Sequence, residues 1–330
     1  MRLGKLERES LIKNVLAHFK PKRKELLLGP EFGVDFAVIR HGGAFLITST
    51  DPITGVVEDI GWYSMHVSSN DVATSGNRPQ FAEVLILLGE DEGDSRAEDI
   101  AKGLAKAASQ LGVDIVGGHT ERTRGLTHSV VATTAFSFAK SYVTAAGAKE
   151  GDYIVLTKTA GIEGTSILAT ARKERLGRLG RRVLSEARGL RRKLSVVKEA
   201  EVAFKTGHVD AMHDPTEGGV LGGLYEMSVG SGLGFVVYEE KIPLESCTRA
   251  VCGALKVDPL RLIASGSMLM AVERSHADCV TEVIRRTGTD ATVIGRFTGR
   301  NRTLVKSSGA KEEVGETVLD ELWRLTADEL

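Results

Sequence analysis

The sequence predicts an α/β chain of two domains, and three observations predict it. Its 330 residues exceed what one hydrophobic core usually holds. Strand-like and helix-like runs alternate along most of its length. A small, polar stretch, "SYVTAAGAKEGD" (141–152), separates two strand signals and marks a seam near 140–150. One domain is therefore expected at 1–145 and a second at 146–330.

The elements follow in order. "MRLGKLERESLIKNVLAHF" reads as a charged amphipathic helix near 5–19, not as a signal peptide. β-rich runs near 35–40 and 44–50 flank His41-Gly42-Gly43, so a hairpin is expected. Pairing across that turn sets Asp35 roughly opposite Thr48 or Ser49. Asp51 follows just beyond and Pro52 stops the strand, so two carboxylates reach the same end. A helix near 60–75 turns Trp62, Met65, Ser69, Val72 and Ala73 to the core. Its other face is Ser64, Ser68, Asp71 and Ser75, with Asp71 the only formal charge between 60 and 77. Such a stripe suits close approach by a ligand or another subunit.

A strand near 81–88 leads to a helix near 95–111, where Ser95 and Glu98 form a capping box. A short strand, 113–117, ends in Gly117-Gly118, a turn whose amides can approach an anion closely. A strand near 128–138 completes the first domain. In the second, strands are expected near 151–158, 235–238, 267–273, 290–297 and 302–306. Helices are expected near 163–187, 194–206, 215–230, 244–254 and 275–287. The helix at 215–230 opens with Asp214 as N-cap, Pro215 at N1 and Glu217 at N3.

Composition narrows the function. The net charge of −1 points to neither nucleic acid nor acidic lipid. Glycine is abundant (37) and aromatics are few (5%), which favours a loop-rich enzyme over a module built on aromatic hot spots. Three cysteines without a C-x-x-C spacing suggest a reducing cytoplasm. No apolar run reaches 18 residues, so no membrane span is expected. The basic run 172–193 holds ten Lys or Arg against two Glu. Glycines interrupt it and it has no aromatic for base stacking, so a solvated helix surface is the preferred reading over RNA or another polyanion. "GIEGTSILA" (161–169) fits either a phosphate loop or tight strand-to-helix packing. His213 beside Asp214 reads as a satisfied histidine next to a cap, and Cys247 and Cys252 as buried core residues. No Walker A pattern is present.

Read alone, Asp35 and Asp51 fit a pair of exposed turn residues and Asp71 a surface aspartate. Together, and with Glu121, they make a hard oxygen-ligand set. Carboxylates without cysteine or paired histidine favour Mg²⁺ over zinc. Magnesium held by few carboxylates implies a phosphate partner, hence nucleotide phosphoryl chemistry.

Several motifs in order resemble one superfamily. "GVDFAVI" (33–39) is similar to its G-D-D-A-A-x-I, "TSTDPITG" (48–55) to its T-T-D, and "SSNDVATSGNRP" (68–79) to its S/N-D-x-A-x-x-G-x-x-P. "GGHTE" (117–121), "MHDPTEGGVLGGLYEMSVGSGLG" (212–234) and "ASGSMLMAV" (264–272) continue the match. The superfamily is that of aminoimidazole-ribonucleotide synthase (PurM), with HypE, thiamine-monophosphate kinase and selenophosphate synthetase; HypE-like proteins are the nearest. The resemblance implies an N-terminal domain forming a shared β-barrel in a homodimer, and a C-terminal α/β sandwich domain facing the acceptor. It implies ATP and Mg²⁺ as cofactors. Asp35, Asp51, Asp71 and Glu121 fall on metal positions. Thr50, Asn70, Gly117, Gly118, Thr120, Asp214, Thr216, Gly218 and Gly219 fall on nucleotide- or anion-binding positions. Val34 and His119 stand where many members have carboxylates. HypE proper ends in a cysteine, whereas the last cysteine here is Cys279, so a HypE-like relative is expected. The resulting expectation is ATP-dependent phosphoryl transfer to an oxygen of a small or protein-borne acceptor. The rival is a non-catalytic nucleotide-binding assembly protein that kept the fold.

Overall fold

A computed structural model describes residues 4–54, 58–315 and 319–327. Contacts divide the chain into two units: Pro21–Gly29 with Asp35–Tyr142, and the remainder, which includes Pro30–Val34 and everything from Val143 onward.

The chain opens with a short helix, α1 (Arg8–Asn14), which belongs to the second unit. The first unit then builds β1 (Leu26–Leu28), β2 (Ala37–His41) and β3 (Ala44–Ile53), helix α2 (Ile60–Ala73), β4 (Phe81–Leu88), helix α3 (Asp94–Leu111), β5 (Asp114–Arg122) and β6 (Val130–Ala139). The six strands form one mixed sheet in the order β1-β2-β3-β6-β4-β5. The hairpin is present, with His41 opposite Ala44 and Ala37 opposite Thr48. Continuing that register brings Asp35 level with Thr50, nearer Asp51 than the sequence suggests. The cause is the tight Gly42-Gly43 loop, with Gly42 at φ +58°.

Helix α2 is buried along its whole length, between the sheet and α3. Gly61 and Gly103 make the α2–α3 approach possible: a Cβ on Gly61 would lie 2.3 Å from the Ile100 carbonyl oxygen. Within the polar stripe, the Ser64 and Ser68 hydroxyls face inward, onto β6. Ser64 Oγ lies 2.7 Å from Thr133 Oγ1, and Ser68 Oγ donates to the Thr133 carbonyl at 2.7 Å. Small hydroxyl residues let the helix settle close to β6 while satisfying their own polar groups. Helix α3 starts at Asp94 after Gly93 with no side-chain cap, so Ser95 lies inside the helix and the capping box is not formed.

The strands alternate as their period demands. Val131, Thr133, Ala135, Ser137 and Ala139 of β6 are buried on the α2 side. The other face carries Ile39, Leu46, Phe81, Leu85, Phe136 and Phe138, with Leu85 38% and Phe138 49% exposed. β5 is the edge strand and every residue in it is exposed.

The second unit continues with β7 (Tyr153–Thr157), α4 (Ile162–Ala171), α5 (Gly180–Gly189), α6 (Val197–Phe204), β8 (Val209–His213), α7 (Gly219–Ser231), β9 (Gly234–Tyr238), α8 (Ser246–Leu255), β10 (Leu269–Val272), α9 (Ala277–Arg285), β11 (Ala291–Thr298), β12 (Arg302–Val305), β13 (Lys311–Glu313) and α10 (Glu321–Ala327). Its seven strands run β13-β12-β9-β11-β7-β10-β8, antiparallel except where β12 meets β9. Ile154, Leu156, Phe235, Leu269 and Phe297 centre the core, and α7 packs against it with Val220, Leu221 and Leu224. The single helix expected at 163–187 is split: α4 ends at Ala171, a 3-10 turn occupies Gly177–Leu179, and α5 restarts at Gly180, whose φ is +77°. No closed barrel forms among the described residues; the fold is mixed α/β with two mixed sheets. No helix among the described residues is long and apolar enough to cross a membrane.

Candidate functional site

In the first unit, the hairpin and α2 assemble the aspartates. Ser49 and Asp51 lie on the α2 face of β3, as the alternation with buried Ile47 and Ile53 requires. Asp71, in the last turn of α2, is 5% exposed and accepts a hydrogen bond from Ser49 Oγ at 2.7 Å. Asp51 and Asp35 are half-buried, and Asn70 is fully buried beside Asp71. Among the described residues, Asp35, Asp51 and Asp71 do not bring one carboxylate oxygen each within 4.8 Å of the other two. Thr50 points to the opposite face of the sheet, where its hydroxyl meets Thr134 Oγ1 at 2.8 Å.

Gly117 and Gly118 do not form a turn after a strand. β5 runs through them, with a bulge at Val116 that realigns Glu83 with Gly117 and Val84 with Gly118. Gly118 has φ +149°, and a Cβ there would sit 1.9 Å from the Val84 carbonyl oxygen. The glycine therefore serves the close approach of β5 to β4. Thr120 and Glu121 lie farther along the same strand. Two strands separate β5 from β3 and the register sets Gly118, not Glu121, level with Asp51, so Glu121 stands more than about 14 Å from Asp51 across the sheet and does not join the aspartates within one chain. Hydrogen bonds with His119 and Thr123 hold its carboxyl below the usual range.

In the second unit, the segment Asp214–Gly219 links β8 to α7. Helix α7 begins at Gly219 and not near Pro215, because Gly218 (φ +83°) and Gly219 (φ +61°) are both left-handed. Asp214 is thus not its N-cap. It is fully buried. The segment is held by residues that lie just before the first and last helices. Lys5 Nζ donates to Thr216 Oγ1 at 3.0 Å, and the Lys5 amide donates to Glu217 Oε2 at 2.7 Å. The Gly218 amide donates to Asp320 Oδ2 at 2.7 Å, and the Leu322 amide to Asp320 Oδ1 at 2.7 Å. An internal carboxylate therefore holds the amide expected to meet an anion. Burial pushes the Asp320 carboxyl up to about 7, against the pull of those two amides. Nothing in the sequence singled out Asp320 or Lys5.

His213 is satisfied, with Nε2 2.8 Å from Glu226 Oε2. Burial opposes ionisation of Glu226, but Lys5 and His213 outweigh it and bring its carboxyl down to about 2. Lys158, at φ +53°, donates to the carbonyls of Ser195 and Gly266 at 2.6 and 2.8 Å and pairs with buried Glu199. Gly164 packs against Leu262, so "GIEGT" is a packing feature. Cys247 and Cys252 are buried, and burial pushes the Cys252 thiol up to about 12. In the basic run, Arg182 pairs with Glu186, Lys193 with Glu245, and Arg188 caps the Ala169 carbonyl.

Residues 33–139 match the family described as AIR synthase related protein, N-terminal domain, and residues 149–306 match its C-terminal domain. The carbamoyl dehydratase HypE of Cupriavidus necator is 30% identical over 252 residues, covering 74% of this chain and 70% of that protein. Among solved structures, the HypE–HypF complex superposes with a TM-score of 0.75 at 23% identity, covering 93% of this chain and 99% of the other. HypE in complex with ATP gives a TM-score of 0.72 at 21% identity, covering 96% and 94%.

Proposed function

This chain belongs to the AIR synthase related protein family, and from that premise we propose that it is an ATP- and Mg²⁺-dependent enzyme that phosphorylates an oxygen of a carbamoyl or amide-type acceptor. The observation that carries the reading is the Ser49–Asp71 hydrogen bond, which ties α2 to the strand end bearing Asp51. Asp35 reaches the same end through the hairpin register. This donor set is carboxylate oxygen only, which fits a hard cation. Asp35, Asp51 and Asp71 would hold Mg²⁺, which when bound neutralises polyphosphate charge. Asn70 supports Asp71, and the exposed edge of β5 offers alternate backbone amides of the stretch 117–120 to the nucleotide. Catalysis rests on positioning and charge neutralisation. The first unit is the nucleotide and dimerisation domain; the second, through Asp214–Gly219, receives the acceptor.

The active form in this reading is a homodimer built on the apolar outer face of the first sheet. Its support is the exposure of Leu85 and Phe138 there and of all of β5 at its edge. Glu121 acts from the facing copy. The acceptor is a small molecule or a carbamoyl group borne on a partner protein; the HypE–HypF complex is the precedent among its structural relatives.

A second reading, a nucleotide-binding assembly protein without turnover, is favoured by the Asp320 carboxylate seated on the Gly218 amide. ADP release from the full chain with Mg²⁺, ATP and a carbamoylated peptide separates the two. Acceptor-dependent release supports the enzyme. Tight ATP binding with no release above background, at any acceptor tried, supports the assembly protein.

A further inference from the structure

β8 and β10 are antiparallel neighbours, and their register brings Val209 opposite Val272. His208 precedes the first strand and Glu273 follows the second. The Glu273 amide donates to the His208 carbonyl at 3.2 Å, so the backbone fixes the two residues side by side. A 3-10 turn, Arg274–His276, then returns His276 to the same place. His208 Nδ1 lies 3.4 Å and His276 Nδ1 3.1 Å from one oxygen, Glu273 Oε2. The two rings stack 3.5 Å apart at 5°. One donor atom from each residue lies within 4.8 Å of the other two.

We propose that His208, Glu273 and His276 form a zinc site on the second unit. Donor atoms around a tetrahedral zinc stand roughly 3.4 Å apart, since each sits about 2.0–2.1 Å from the ion. The His–Glu separations already have that size. Both Nδ1 edges face the same carboxylate, and rotation of each imidazole about its Cβ–Cγ bond, a soft torsion, aims both lone pairs at one point. Two imidazoles and one carboxylate select zinc over the magnesium that an oxygen-only set prefers. Ser275 Oγ donates to Glu273 Oε1 at 3.1 Å and holds the carboxylate's second oxygen, the outer support that metal-binding carboxylates use. The imidazoles are 34% and 38% exposed, so an ion has direct access. Three protein donors leave the fourth position to water.

The full chain, stripped with a chelator and held in excess Mg²⁺, is titrated calorimetrically with zinc chloride. One saturable site per chain is expected. His208→Ala, Glu273→Gln and His276→Ala should each weaken it by at least about 100-fold, while His119→Ala leaves it unchanged. Substituted Co²⁺ should give the visible absorption of a tetrahedral ion in wild type and not in the variants. Circular dichroism confirms that each variant is folded; the side chains are partly exposed, so all are expected to fold. Absence of saturable zinc binding in wild type overturns the proposal. So does binding that survives all three substitutions or disappears with His119→Ala.

Discussion

Replacing Asp320 by asparagine should change how stability depends on pH. The Asp320 carboxyl lies up near 7 in the fold against an ordinary aspartate value of 3.8, because it is 5% exposed. A carboxyl raised on folding binds more protons in the native than in the unfolded chain. Stability therefore falls as pH climbs from the unfolded to the folded value. Each pH unit in that window costs about 1.4 kcal/mol, so the segment from about pH 5 to about pH 7 removes about 3 kcal/mol. A side-chain amide at this position cannot ionise, so the Asp320→Asn variant lacks this slope. It retains one acceptor oxygen for the amides of Gly218 and Leu322, and one of those two bonds is lost, at a cost of about 1 kcal/mol. Urea denaturation of both proteins across this range gives the comparison. The wild type should be the more stable at about pH 4, and the variant should draw level at about pH 5 and overtake it above that. Parallel profiles would refute the reasoning, because Asp320 would then be charged and well solvated throughout.

Gly118→Ala should destabilise the first unit by about 2–4 kcal/mol, since the added Cβ meets the Val84 carbonyl oxygen at 1.9 Å; urea unfolding of the variant reads it directly. The proposed homodimer predicts that wild type sediments as a dimer and that Phe138→Glu, on the outer face of the first sheet, sediments as a monomer with an unchanged circular dichroism spectrum; a monomeric wild type would contradict it.

Much of the fold was legible because the hydrophobic period is strong where strands are half-buried. The strand expected at 81–88 lies at Phe81–Leu88. The errors have physical causes. Gly117-Gly118 looks like a turn, but glycine also marks a bulge, and only the approach of Val84 distinguishes the two. Asp214-Pro215-Thr216-Glu217 carries every local sign of a helix start, yet two left-handed glycines delay α7 to Gly219. Ser64 and Ser68 look like part of an open face because nothing local reveals that their hydroxyls will bond to β6. Asp320 and the cluster of His208, Glu273 and His276 were invisible for a different reason. Asp320 meets Gly218 through a returning C-terminal segment, and His208 meets the local pair Glu273 and His276 only through the pairing of β8 with β10.

The central claim is that the aspartates of the first unit hold a magnesium–nucleotide complex. Its most direct test is calorimetric titration of a non-hydrolysable ATP analogue, with and without Mg²⁺, into wild type and Asp51→Asn. The account predicts Mg²⁺-dependent, saturable binding that the substitution weakens by at least about 10-fold. Equal affinity in all four titrations, or no binding in any, would contradict it.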